Sequence, residues 1–154
     1  FYAVRRLKEE NEDFVLDLAG FFEDIYKKQV EELEQLGIAH FYGFQSDPRP
    51  FYTEADCVIL PSYHEGMSNV LLEAAATGRP VITSNIPGCR ESVENGKTGL
   101  LVEAKNKEML YQAMKKMLHC SREEREKMGK AGREKMKREF RKEAVVERTV
   151  RSLE

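Results

Sequence analysis

"CVILPSYHEGMSNVLLEAAATGRPVITS", Cys57–Ser84, decides the fold. It opens on an apolar run, Cys57–Pro61, with no polar alternation, which predicts a strand buried on both faces as in a parallel sheet. A polar loop follows. "SNVLLEAAATG" then predicts a helix, with Ser68 as its N-cap and Gly78 just past its end. After Gly78-Arg79-Pro80, "PVITS" predicts another strand. Strand, helix and strand in direct succession make a parallel crossover unit.

The pattern repeats outward. Residues 1–10 read as the end of a helix, and "FVLDLAG" (Phe14–Gly20) as a short strand closed by glycine. "FFEDIYKKQVEELEQLG" is helical, with Ile25, Val30, Leu33 and Leu36 near one face. "IAHFYGF" is a second strand. "SDPRPFYTEA" is a loop and short helix, with Asp47 as a cap before Pro48. Downstream, "CRESVEN" gives one or two helical turns and "TGLLV" a strand. "NKEMLYQAMKKMLHC" places Met109, Leu110, Ala113, Met114, Met117 and Leu118 at helical spacing. The remainder, residues 121–154, is helix-forming, with Gly129 and Gly132 expected to interrupt it. The expected fold is therefore α/β, a doubly wound parallel sheet with C-terminal helices. Such sheets bind ligands beyond the carboxyl ends of their strands. Here that means the loops after Gly20, Phe44, Pro61, Ser84 and Val102.

Composition narrows the class. The chain has 154 residues, 41% apolar and 34% charged, the profile of one soluble domain or a piece of a larger protein. It does not begin with Met, and its first residues read like mid-helix, so a fragment is expected. No apolar stretch is long enough to span a membrane. Three cysteines, Cys57, Cys89 and Cys120, lack metal-ligand spacing and suit reduced thiols in the cytoplasm. The net charge of −2 divides unevenly: residues 121–154 hold 12 Lys/Arg and 8 Asp/Glu, and residues 1–120 hold 13 and 19. A salt-laced helical face accounts for the basic tail; a peripheral contact with an anionic membrane or with nucleic acid is the other reading.

Two tempting signals carry little. Gly96-Lys97-Thr98 resembles part of a phosphate-binding loop, but the required upstream glycine position holds Glu91, and the segment runs into a strand. Glu65 and Glu73 stand eight apart. With 22 glutamates in the chain, four such pairs occur. Chance gives about three, so the spacing alone means nothing.

Context is more informative. Glu65 follows the end of an expected buried strand. Gly66-Met67-Ser68-Asn69 then enters a helix whose first turn offers free N–H groups and a positive dipole end, suited to phosphate. Glu73 lies about one turn inside. Its carboxylate either receives the vicinal hydroxyls of a sugar or marks the helix's solvated face; the local sequence leaves both open. His40 and His119 read as structural, and His64 as an exposed loop residue.

Several ordered elements together resemble the group 1 glycosyltransferases, retaining nucleotide-sugar enzymes of family GT4 with the GT-B fold. They are Pro61-Ser62, Glu65–Ala74, Gly78-x-Pro80-Val81-Ile82, Pro87–Glu91, Gly96-x-x-Gly99–Val102 and the "REKMGKAGREKMKREF" segment, Arg125–Phe140. The resemblance covers nearly the whole chain. It implies that Glu65 contacts donor-sugar hydroxyls and Glu73 the ribose. Backbone N–H groups around Gly66, Met67, Ser68 and Asn69 would lie by the sugar and diphosphate, and Gly43 and Phe44 near the base. It implies a UDP- or GDP-linked donor, no metal, a glycan or lipid-linked acceptor, and no nucleic acid. "IPGCRE" is similar to bacterial enzymes of surface polysaccharide synthesis, working in the cytoplasm or at the inner face of the membrane.

The family's first strand, with a Gly-Arg element and a following Lys, is not in this sequence, nor is its N-terminal acceptor domain. The 154 residues are thus expected to form one donor-binding domain, with little transferase activity and weak nucleotide affinity alone. A nucleotide-sugar epimerase or phosphorylase of the same fold, or a non-catalytic binding module, are the alternatives.

Overall fold

The computed structural model describes residues 1–21 and 23–141. Helix α1 (Tyr2–Glu9) leads into strand β1 (Leu16–Ala19). A 3₁₀ turn (Asp24–Tyr26) and helix α2 (Lys27–Gln35) follow, then β2 (Ala39–Gly43), α3 (Arg49–Glu54) and β3 (Val58–Leu60). Next come α4 (Asn69–Ala76), β4 (Val81–Ser84), a 3₁₀ turn (Arg90–Ser92), β5 (Gly99–Val102), α5 (Lys107–His119) and α6 (Arg122–Glu139). The alternation read from the sequence is therefore present, and each strand pair is parallel.

The strands form two sheets, β1–β2 and β3–β4–β5. Only β4 is flanked by strands on both sides among the described residues. Period-2 geometry divides the β-strand residues between two cores. Ile82, Leu100 and Val102 join Leu7, Leu33, Tyr111 and Met114 in the larger one, which also receives Leu16, Leu18 and Ile59. Val81 joins Tyr52, Leu71, Ala74, Cys89 and Val93 in the smaller, with Val58, Leu60 and Leu101 packed against it. Helices therefore cover both faces, as a doubly wound sheet requires.

This arrangement corrects the reading of Cys57–Pro61. Val58, Ile59 and Leu60 are only half-buried because β3 lies at a sheet edge. The strand buried along its whole length is the central one, β4.

Other departures have equally local causes. Val30 and Leu33 are buried, but Ile25 falls in the 3₁₀ turn before α2 and is 71% exposed, and Leu36 ends the helix at 50%. On α5 the buried set is Tyr111, Ala113, Met114 and Met117, while Met109 is 38% exposed. The Tyr111 phenol donates to Glu10 at 2.6 Å, which lets a polar ring fill the core.

Gly129 and Gly132 do not interrupt α6; both are buried within it. A β-carbon on Gly129 would sit 1.8 Å from the Gly78 carbonyl oxygen. The glycine is there for close approach to the turn after α4, not to break the helix. Helix α6 starts on a capping box in which Ser121 and Glu124 bond each other's backbone N–H, at 3.2 and 2.7 Å. The tail expected from the sequence beyond residue 141 lies outside the described residues.

Candidate functional site

Strand β3 ends at Leu60, whose carbonyl accepts a 2.8 Å hydrogen bond from the Thr83 hydroxyl of β4. The chain then turns through Pro61–Ser68 into α4. Within this loop the Ser62 hydroxyl donates to Glu65 Oε1 at 2.7 Å, fixing one oxygen of an otherwise exposed carboxylate. The loop rests on the segment after β4. Gly88 has φ +86°, and a β-carbon there would lie 1.5 Å from the Gly66 carbonyl oxygen and 2.7 Å from that of Glu65. The Ser68 N–H donates to the Gly88 carbonyl at 3.1 Å, and the Gly88 N–H donates to Glu91 Oε2 at 2.8 Å. Only a glycine permits this backbone-on-backbone contact. Burial pushes the nearby Cys89 thiol upward, and the charges of Glu65 and Glu91 push the same way.

Ser68 takes the N-cap position of α4, buried, but its side chain forms no cap hydrogen bond. That corrects the expected side-chain cap. The helix entrance therefore presents backbone N–H groups without a hydroxyl in front of them, the arrangement that suits an anion. Gly66 has open space where a side chain would stand, so a ligand can meet the backbone directly. Met67 and Asn69 flank it, both exposed.

Glu73 lies on the exposed side of α4, so the solvated-face reading holds in part. The carboxylate is nonetheless held. The phenol of Tyr52, itself 5% exposed, donates to Glu73 Oε2 at 3.1 Å. Glu73 and Tyr52 face an open cleft of about 450 Å³, whose other wall is Ser46–Pro48 of the loop after β2 and Arg49 at the start of α3. Burial, and then the Glu73 carboxylate, push the Tyr52 hydroxyl up to about 12, so it stays a neutral donor at physiological pH. Asp47 accepts from the Arg49 N–H at 3.2 Å, as a cap would, although Pro48 holds the cap position. The Arg49 guanidinium beside Asp47 holds that carboxyl below its usual range.

Gly43 closes β2 with φ +66°, and Phe44 follows it, 64% exposed, with its ring stacked on Phe21 at 5.2 Å. The structure thus brings Glu73 against the loop that Gly43 and Phe44 begin. Glu65 does not line this cleft; it belongs with Ser62 and the Gly88 contact. His64 is exposed, and His119 is engaged with Glu12 at 2.9 Å, a structural role. Gly96 turns into β5, and the Thr98 hydroxyl accepts from the Glu94 N–H at 2.8 Å, so Gly96–Thr98 forms a turn and no phosphate loop. Sequence reasoning missed Tyr52, whose partner Glu73 is distant in sequence, and gave Gly88 only as part of the family-like Pro87–Glu91 element, without its contact with Gly66.

The family model described as "Glycosyl transferases group 1" matches residues 1–135. This chain belongs to the group 1 glycosyltransferases. It is 33% identical over 102 residues to the capsular polysaccharide biosynthesis glycosyltransferase CapM of Staphylococcus aureus, covering 66% of this chain and 27% of CapM. It is 29% identical over 124 residues to the lipopolysaccharide core biosynthesis glycosyltransferase LpsE of Rhizobium meliloti, covering 80% of this chain and 36% of LpsE. The sucrose-phosphate synthase of Thermosynechococcus elongatus shares the fold, with a TM-score of 0.81 at 26% identity over 99% of this chain and 41% of that one. The chain thus spans well under half the length of these proteins. Among the described residues there is no cluster of His, Cys, Asp and Glu able to hold a metal, and no helix is long and apolar enough to cross a membrane.

Proposed function

We propose that this chain is the donor-binding half of a retaining GT4-type glycosyltransferase. The intact enzyme would move a hexose-type sugar from a UDP- or GDP-sugar to a glycan or lipid-linked acceptor in bacterial surface polysaccharide synthesis. The observation that carries this reading is the β3–α4 junction. A carboxylate fixed by Ser62, a glycine held open by Gly88, and an uncapped helix entrance stand in sequence there, with a second carboxylate on a cleft one turn further on.

Each part has a task in this reading. Backbone N–H groups of Gly66, Met67 and Asn69 receive the diphosphate and sugar, that of Ser68 being held by the Gly88 carbonyl. Glu65 accepts hydrogen bonds from sugar hydroxyls, and Glu73 from the ribose. The exposed Phe44 ring and the Gly43 turn lie towards the base. No metal is required. Leaving-group charge is stabilised by cations that a preceding segment supplies, so residues 1–154 alone transfer sugar poorly. The enzyme acts in the cytoplasm, at or near the inner face of the membrane, with the acceptor held by a separate N-terminal domain.

Calorimetry of UDP, GDP and their hexose conjugates against the full-length chain tests the assignment. One nucleotide should bind, and Glu73→Ala should weaken it by about tenfold or more, as loss of charged hydrogen bonds predicts. Failure of every nucleotide to bind would point instead to a module that kept the fold and lost the chemistry.

A further inference from the structure

Tyr52 is built beyond what packing requires. Its ring fills the smaller core beside Leu71 and Ala74, a task phenylalanine would perform equally well. Its hydroxyl reaches out of that core to the edge of the cleft and donates to Glu73 Oε2. The short helix that carries it is tied down by Arg79. That guanidinium donates to the Tyr52 carbonyl at 2.8 Å and to the Thr53 carbonyl. Asp47 holds the other end of the helix through Arg49. A rigid donor therefore meets a carboxylate on a long and otherwise exposed side chain.

The consequence is orientation. An exposed glutamate samples many rotamers, and binding must freeze one of them. With one lone pair of Oε2 taken by the phenol, the remaining acceptor positions of the carboxylate face away from Tyr52. Two hydroxyls on adjacent carbons can donate to such a fixed carboxylate together. A single hydroxyl leaves one position unfilled, and loosening the carboxylate removes most of the difference between the two cases.

We propose that Tyr52 is a positioning residue that holds Glu73 for a vicinal diol, and so makes the cleft prefer a ribonucleotide over a deoxyribonucleotide. The inference rests on the ribose role proposed above for Glu73. Buried phenols that merely satisfy a core would not alter such a preference.

The test uses calorimetry on the full-length chain with UDP and GDP and their 2′-deoxy and 3′-deoxy forms. Wild type should prefer the ribonucleotide. Tyr52→Phe should melt near the wild-type temperature yet bind the ribonucleotide between about 2- and 12-fold more weakly, the cost of ordering one freed side chain on binding. Its affinity for the deoxy forms should change far less, so the preference shrinks. An unchanged preference in Tyr52→Phe, alongside weakened binding in Glu73→Gln, would overturn the positioning role alone. Unchanged binding in Glu73→Gln would overturn the ribose role beneath it. Should Tyr52→Phe fold poorly, the wild type decides: equal affinity for ribo and deoxy forms refutes the proposal.

Discussion

Gly88 shows how much of this site depends on one missing β-carbon. Its positive φ and its contact with two carbonyl oxygens mean that alanine there must displace the loop carrying Glu65. Strain and overlap together predict a loss on the order of 2–4 kcal/mol for Gly88→Ala, visible in chemical denaturation. The variant should also lose donor affinity, because Glu65 and the helix entrance shift together. At this scale the sequence disclosed residue types and left out partners. Glu65, Gly66 and Ser68 were legible as a strand-end and helix-start group. Tyr52 was not, because a phenol meeting a helix 21 positions on gives no local pattern, and Gly88 was legible only as a member of the Pro87–Glu91 element, not as the seat of Gly66.

Among the elements, α6 offers a sharper discrimination. Replacing a helical glycine by alanine ordinarily gains about 1 kcal/mol. At Gly132 the added carbon would meet Ala75 and Thr98 at 3.7 Å, ordinary contact, so Gly132→Ala should stabilise the chain by about 0.5–1 kcal/mol. At Gly129 the same carbon would lie 1.8 Å from the Gly78 carbonyl, and overlap outweighs propensity. Gly129→Ala should therefore destabilise, in the same denaturant experiment. Equal effects at the two sites would contradict the close docking of α6 on the turn after α4. Helix propensity read both glycines as breaks, since it contains no information about a neighbouring turn. The strands fared better: period and length placed all five, and only their position within a sheet, edge or centre, was hidden.

For the whole molecule, α1 is bound to α5 by a network at the surface. Lys115 donates to Glu10 at 2.5 Å, Tyr111 also donates to Glu10, and Arg6 pairs with Glu108. The Lys115 bond, followed by Tyr111, holds the Glu10 carboxyl below its usual range. Gln112, followed by Tyr2 and Arg6, does the same for Glu108. A carboxylate with a depressed folded pKa stabilises above its unfolded value, about 4.3, and that contribution fades as pH falls through the folded value. The melting temperature should thus decline below roughly pH 4.5, and Glu10→Gln should flatten part of that decline. Strand order predicts a second global property: the amides of the edge strand β3 should exchange faster than those of the central β4.

The central claim is that the entrance of α4 receives the diphosphate of a nucleotide sugar. Amide chemical shifts of the full-length chain, followed during titration with UDP and with GDP, test it most directly. The account predicts that one of them shifts the backbone amides of Gly66, Met67, Ser68 and Asn69 most strongly, with smaller changes along the Glu73 cleft. Saturable nucleotide binding that leaves those four amides unmoved would contradict it.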